Sequence, residues 1–155
     1  MIWTTHMIVG SAIAVRTGNP WLGFLGALAS HYILDVIPHR EYPFDNISQA
    51  GTWQTGVLIR SIAKVGTDFL VGLIIITLLF HQDLYTFAVA MGGAAYGIIP
   101  DAATFWYYRF GIHNKFISAC QNFHKWCNVW HYGKTPMWIG VLTQVAAVAA
   151  VLLML

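Results

Sequence analysis

The sequence predicts an all-α, polytopic bundle of about five transmembrane helices with one interfacial helix. Three observations carry that expectation. Only 9% of the 155 residues are charged, against ~25% in an average soluble domain. Hydrophobic residues make up 57% of the chain, and the mean hydropathy is +0.60. Apolar stretches about one helix long alternate with short runs of glycine, proline and polar residues. The length fits one domain, residues 1–155.

Composition excludes several classes. Eight Lys+Arg and six Asp+Glu cannot cover the surface of an ordinary soluble domain or keep a chain disordered. A net charge of +2 is too small for a duplex-gripping surface, so no nucleic-acid partner is expected. Seven Trp, seven Tyr and nine Phe suit the membrane interface. Cys120 and Cys127 are seven apart and form no C-x-x-C pair, so neither a zinc finger nor a disulfide framework is indicated. Arg16 follows the first apolar stretch instead of preceding it, so residues 1–17 read as part of the mature fold.

The elements follow in order. The first stretch runs from about Thr4 to Val15. Gly18-Asn19-Pro20 breaks it, and Pro20 opens a second, 20–37, that Pro38 ends. Eighteen residues make ~27 Å of helix, near the ~30 Å hydrocarbon core. Residues 39–55 are polar and turn-rich. A third stretch covers about Gly56 to Phe80. A fourth covers about Leu84 to Tyr108, with an interruption expected at Pro100. Residues 110–132 mix polar and aromatic side chains and suit an interfacial segment. The last stretch, Pro136 to Leu155, carries no charge. Gly26–Pro38 and Gly92–Pro100 share a small-residue start and an Ile-Pro. That is either a faint repeat or a sign of close helix packing.

Basic residues set the expected orientation. Arg40, Arg60 and Lys64 lie between the second and third stretches. Arg109, Lys115, Lys125 and Lys134 lie between the fourth and last. Only Arg16 falls on the other side. The positive-inside rule then puts the N-terminus and both long connections in the cytoplasm of a bacterial or archaeal inner (plasma) membrane.

Under that topology the ionisable residues within the helices gather at one membrane face, and intramembrane ionisable groups are functional candidates by default. His6 is near the start of the first helix, Asp68 near the start of the third, and Asp101 in the cytoplasmic half of the fourth. His31 and Asp35 are four apart and share a helix face, and His39 follows Pro38. Imidazole and carboxylate without thiolate suit a catalytic zinc site. The alternative for His31 and Asp35 is a hydrogen bond that packs the helix. Asp68 can equally pair with Lys64, and Asp101 can cap a half-helix freed by Pro100. Cys120, His124, Cys127 and His131 form one stripe. A single helix cannot wrap four ligands round an ion, so the stripe reads as a semi-buried face, with His124 or His131 available to a site built on other helices.

Four segments carry a resemblance: T-H-M-I-V-G-S-A from Thr5, L-A-S-H-Y-I-L-D-V-I-P-H ending at His39, G-I-I-P-D ending at Asp101, and F-H-x-x-x-x-x-x-H from Phe123 to His131. The chain resembles the small predicted membrane-bound metal-dependent hydrolases and, distantly, zinc-dependent phospholipase C. The resemblance implies His6, His31, Asp35, His39 and Asp101 as metal ligands, with His124 and His131 behind them. Larger members carry P-D-x-D ahead of the S-H-x-x-x-D element. Here Pro100-Asp101 comes after it and is followed by Ala102-Ala103.

The expected activity is therefore metal-dependent hydrolysis, with zinc the expected ion, of a phosphoester bond in a membrane lipid. Asp68 or His124 would act as base, and Arg40, Arg60 or Lys64 would steady the phosphate. The alternatives are a non-catalytic metal-binding membrane protein and, less favoured, a transporter subunit. Five helices make a thin bundle, so a homodimer is also considered.

Overall fold

A computed structural model describes residues 1–40, 55–111, 114–128 and 135–155. The described residues form six helices and no strand: α1 (Trp3–Arg16), α2 (Pro20–Val36), α3 (Thr55–Phe80), α4 (Leu84–Phe110), α5 (Lys115–Cys127) and α6 (Met137–Leu152). Local chemistry explains most of the ends. Asn19 caps α2, its Oδ1 accepting the N–H groups of Trp21 and Leu22 at 3.0 and 3.3 Å, with Pro20 at the first helical position. Asp83 caps α4 through the Thr86 N–H at 2.9 Å, which holds this exposed carboxyl below its usual range. Asn114 caps α5 through the Ile117 N–H at 2.8 Å. Gly111 ends α4 at φ 63°, the left-handed geometry that favours glycine.

One expected feature is corrected. Pro100 does not interrupt the fourth helix: α4 runs unbroken from Leu84 to Phe110 with Pro100 inside it. Asp101 therefore does not sit at the N-terminus of a half-helix. One proline removes a single ladder bond, and a long helix packed on its neighbours keeps its course.

α1 is the central helix. It packs against α2, α3, α4 and α6, and its residues from Thr4 to Ala12 are all buried. Its contacts define the topology. Thr4 meets Asp68 and Met7 meets Gly72, so α3 runs parallel to α1. Ser11 donates to Ala90 O at 2.8 Å and His6 backs onto Gly97, so α4 runs antiparallel. Small residues make the α1–α4 approach possible. A Cβ on Gly10 would lie 2.5 Å from Gly93 O, and one on Gly97 would lie 2.6 Å from His6 O. The small residues thus read as packing positions.

The interior has two halves. Met7, Ala12, Ile76, Phe80, Ala90 and Ala94 form an apolar core toward the C-terminal end of α1. The other half is polar: His6, His31, Asp35 and His39 are among the largest fully buried side chains. The exterior reverses ordinary practice. Trp21, Leu84 and Trp138 are 73%, 83% and 69% exposed, and Leu22, Leu25 and Leu78 are exposed as well. Among the described residues one helix, through Ile59–Phe80, is long and apolar enough to cross a membrane. α6 is apolar but shorter, and α1 is only 14 residues long.

Gly97→Val should destabilise the bundle by roughly 1–3 kcal/mol, because the new branch meets backbone and not a flexible chain end. A thermal midpoint in detergent unchanged from wild type would show that α1 and α4 are not in this contact.

Candidate metal centre

Asp35 is the hub of the polar half. It sits near the end of α2 with its side chain 1% exposed, and its two oxygens face two groups of partners. Oδ2 lies 3.2 Å from His31 Nε2 and 3.1 Å from His124 Nε2. Oδ1 lies 2.7 Å from the Met1 α-amino group, 3.3 Å from His6 Nε2 and 3.9 Å from His39 Nε2. Asp101, one turn beyond Gly97 on α4, completes the first group: its Oδ1 is 3.7 Å from His31 Nε2 and 3.6 Å from His124 Nε2.

The outer nitrogen of each imidazole decides what its inner nitrogen can do. His31 Nδ1 lies 2.7 Å from Gly97 O. A carbonyl only accepts, so Nδ1 carries a proton and Nε2 is the nitrogen turned toward Asp35. His39 is fixed in the same way by Ile37 O at 2.8 Å. His124 Nδ1 is 3.0 Å from Thr104 Oγ1. The single hydroxyl proton of Thr104 is drawn to Pro100 O and Gln121 Oε1, each 2.9 Å away, so the hydroxyl accepts from Nδ1–H. His124 then turns Nε2 toward Asp35 as well.

The result is a buried triangle of polar atoms that can face one cation. His31 Nε2 and His124 Nε2 are 3.1 Å apart, and both are within 3.2 Å of Asp35 Oδ2. A cation at the centre satisfies all of them together. With Asp101 the donor atoms of four residues lie within 4.8 Å of one another. The five edges given above run from 3.1 to 3.7 Å. A regular tetrahedron of ~2.0–2.1 Å bonds has edges of roughly 3.3–3.4 Å. Two carboxylates also balance a divalent charge, which matters inside a low-dielectric bundle. The group His31, Asp35, Asp101 and His124 can therefore hold a metal ion. The donor chemistry is of the kind that suits zinc and its neighbours.

The other expected site residues are placed as follows. His6 is fully buried and stacks on His31 with ring centroids 4.0 Å apart, beside the other oxygen of Asp35 and outside the four-donor group. Neither of its ring nitrogens makes a hydrogen bond. His39 is buried on the same side of Asp35. α6 holds the turn that carries it: Thr143 donates to Pro38 O at 2.7 Å and Arg40 Nη1 to Thr135 O at 3.2 Å. Asp68 receives Thr4 Oγ1 on Oδ1 at 2.6 Å and Thr4 N on Oδ2 at 3.3 Å, so its carboxylate fixes the start of α1. His124, expected as a base, stands among the ligands because α5 brings it onto α2. Arg60 and Lys64 are exposed on α3. His131 lies outside the described residues.

Sequence reading missed the supports: Gly97 O for His31, and Thr104 with Gln121 for His124. Gly97 carried a faint signal, being one turn before Pro100. Thr104 and Gln121 carried none, since their role depends on how α4 and α5 pack. Comparison with protein-family models, curated proteins and solved structures finds no match.

Two outcomes are expected of the site. His31→Ala and Asp35→Ala should abolish bound divalent metal, measured by elemental mass spectrometry on folded protein. Thr104→Val should weaken zinc affinity about 10- to 100-fold by releasing the His124 ring. Full zinc retention by Asp35→Ala would exclude this ligand set.

Proposed function

We propose that this protein is an integral-membrane, zinc-dependent hydrolase that cleaves a phosphoester bond of a lipid at the cytoplasmic face. The observation that carries the reading is the convergence of two imidazoles and two carboxylates, their donor atoms within 4.8 Å of one another, in a bundle with many exposed apolar side chains. The exposed tryptophans and leucines support lipid surroundings for α2, α4 and α6 as well as for α3. Charge asymmetry along the chain supports a cytoplasmic N-terminus. The resemblance to the membrane-bound metal-dependent hydrolases points to the same chemistry.

The ligands are His31, Asp35, Asp101 and His124. An ion held by such a set supplies Lewis-acid polarisation of a phosphoryl oxygen and acidifies water. The residues divide the remaining work. Gly97 O and Thr104 orient the two imidazoles. His6 and His39 pack round the far oxygen of Asp35. Asp101 is the most exposed of the four ligand side chains at 19%, against 0–8% for the others, so substrate and water approach from its edge. Arg60 and Lys64 are free to meet a headgroup phosphate. Asp68, bound to Thr4, takes no part as a base.

A second reading has one observation in its favour. All four ligands come from the protein, and closed sites of that kind are structural. The two readings separate in one experiment on protein purified in mild detergent and reconstituted with phospholipid. An enzyme releases phosphate-containing product, stops when metal is chelated and resumes on reloading. His31→Ala remains inactive whether or not zinc is added. A structural ion gives no turnover, and its removal lowers the thermal midpoint sharply. A wild-type protein that stays folded and binds no metal contradicts both.

A further inference from the structure

α5 buries its polar side and exposes its apolar one. Gln121, His124 and Cys127 are buried, while Phe116 and Trp126 are 77% and 72% exposed and Phe123 is exposed too. Its only charged residues, Lys115 and Lys125, are both exposed, and it carries no acid. The angular order is more informative than the exposure. At about 100° per residue, Phe116 and Phe123 fall within ~20° of each other. Lys125 lies roughly 160–180° round from them. His124 points about 80–100° from either flank. Trp126, Lys115 and Asn122 face outward, opposite His124.

A helix with an aromatic flank, a basic flank and a Trp/Lys outer edge fits one setting. It lies along a membrane surface beside the bundle, one flank toward acyl chains and the other toward water. We propose that α5 occupies the boundary between hydrocarbon and anionic headgroups. Phe116 and Phe123 enter the lipid, and Lys115 and Lys125 meet lipid phosphates. Because His124 leaves the helix midway between the flanks, the metal centre lies at the depth of the α5 axis. That depth, which rests on the membrane reading above, puts the ion level with the phosphoester of a glycerophospholipid and above its acyl chains. The substrate bond is then a headgroup phosphoester.

The test places single nitroxide labels at residues 116, 122 and 125 in a Cys120→Ser, Cys127→Ala background. The protein is reconstituted in bilayers of phosphatidylcholine and phosphatidylglycerol. Collisional accessibility is read with oxygen, which favours hydrocarbon, and with a neutral nickel chelate, which favours water. The expected order is residue 116 favouring oxygen, 125 favouring nickel, and 122 between them. Equal nickel access at all three overturns the proposal, as does equal oxygen access. Shielding of all three from both reagents overturns it in favour of a second copy or a protein partner. If Phe116→Cys misfolds, Ala119→Cys on the same side gives the deep reading. Resistance to alkaline carbonate extraction is measured alongside. Carbonate-resistant protein with the wrong label order sinks this inference alone, whereas carbonate-released protein sinks the membrane reading itself.

Discussion

The structure depends on a carboxylate buried where no carboxylate is stable alone. Asp35 is almost fully enclosed, and stripping an unpaired charge of water is among the costliest acts in folding. The Met1 α-amino group, 2.7 Å from Oδ1, meets part of that cost, and His31, Asp101 and His124 converge on Asp35 with donor atoms for a cation. α1 brings His6, α2 brings His31, the turn after α2 brings His39, α4 brings Asp101 and α5 brings His124. The packing that allows this is backbone-close. Gly10, Gly93 and Gly97 let α1 and α4 touch, and α6 clamps the turn at Pro38. The nitrogens that face Asp35 Oδ2 are oriented by bonds made on the far side of each ring. The centre is organised by Gly97 O and Thr104 as much as by its ligands.

The reversed burial goes with the same constraint. One half of the interior is given to imidazole, carboxylate, hydroxyl and amide groups, while many leucines and tryptophans lie outside. That distribution is costly in water and favourable in lipid. Among the described residues only α3 is long and apolar enough to cross a membrane. α1, at 14 residues, packs against four other helices.

Much of this was legible in the residues. Caps and prolines marked most helix ends within a few positions: Asn19-Pro20, Pro38 and Asp83 each stand where a helix starts or stops. His31 and Asp35, four apart, stood out because a charged pair inside an apolar run has few uses. The grouping of His6, His31, Asp35 and Asp101 followed from topology alone. Other parts were not legible. Pro100 looks like a break in sequence, but tertiary packing carries α4 through it. Asp68 reads equally as a base or as a partner of Lys64, and the structure gives it Thr4 instead. His124 and His131 were indistinguishable by spacing; the packing of α5 on α2 brings His124 to the site, and His131 lies outside the described residues. The supporting Thr104 and Gln121 are ordinary residues until α4 and α5 are side by side.

Four converging donors can hold one cation between them. X-ray absorption at the metal edge of zinc-loaded protein tests it most directly. The expected first shell is two imidazole nitrogens and two carboxylate oxygens at ~2.0–2.1 Å. Imidazole scattering should fall by half in His124→Ala. A shell containing sulfur, or one of oxygen alone without imidazole, would place the ion elsewhere and contradict the account.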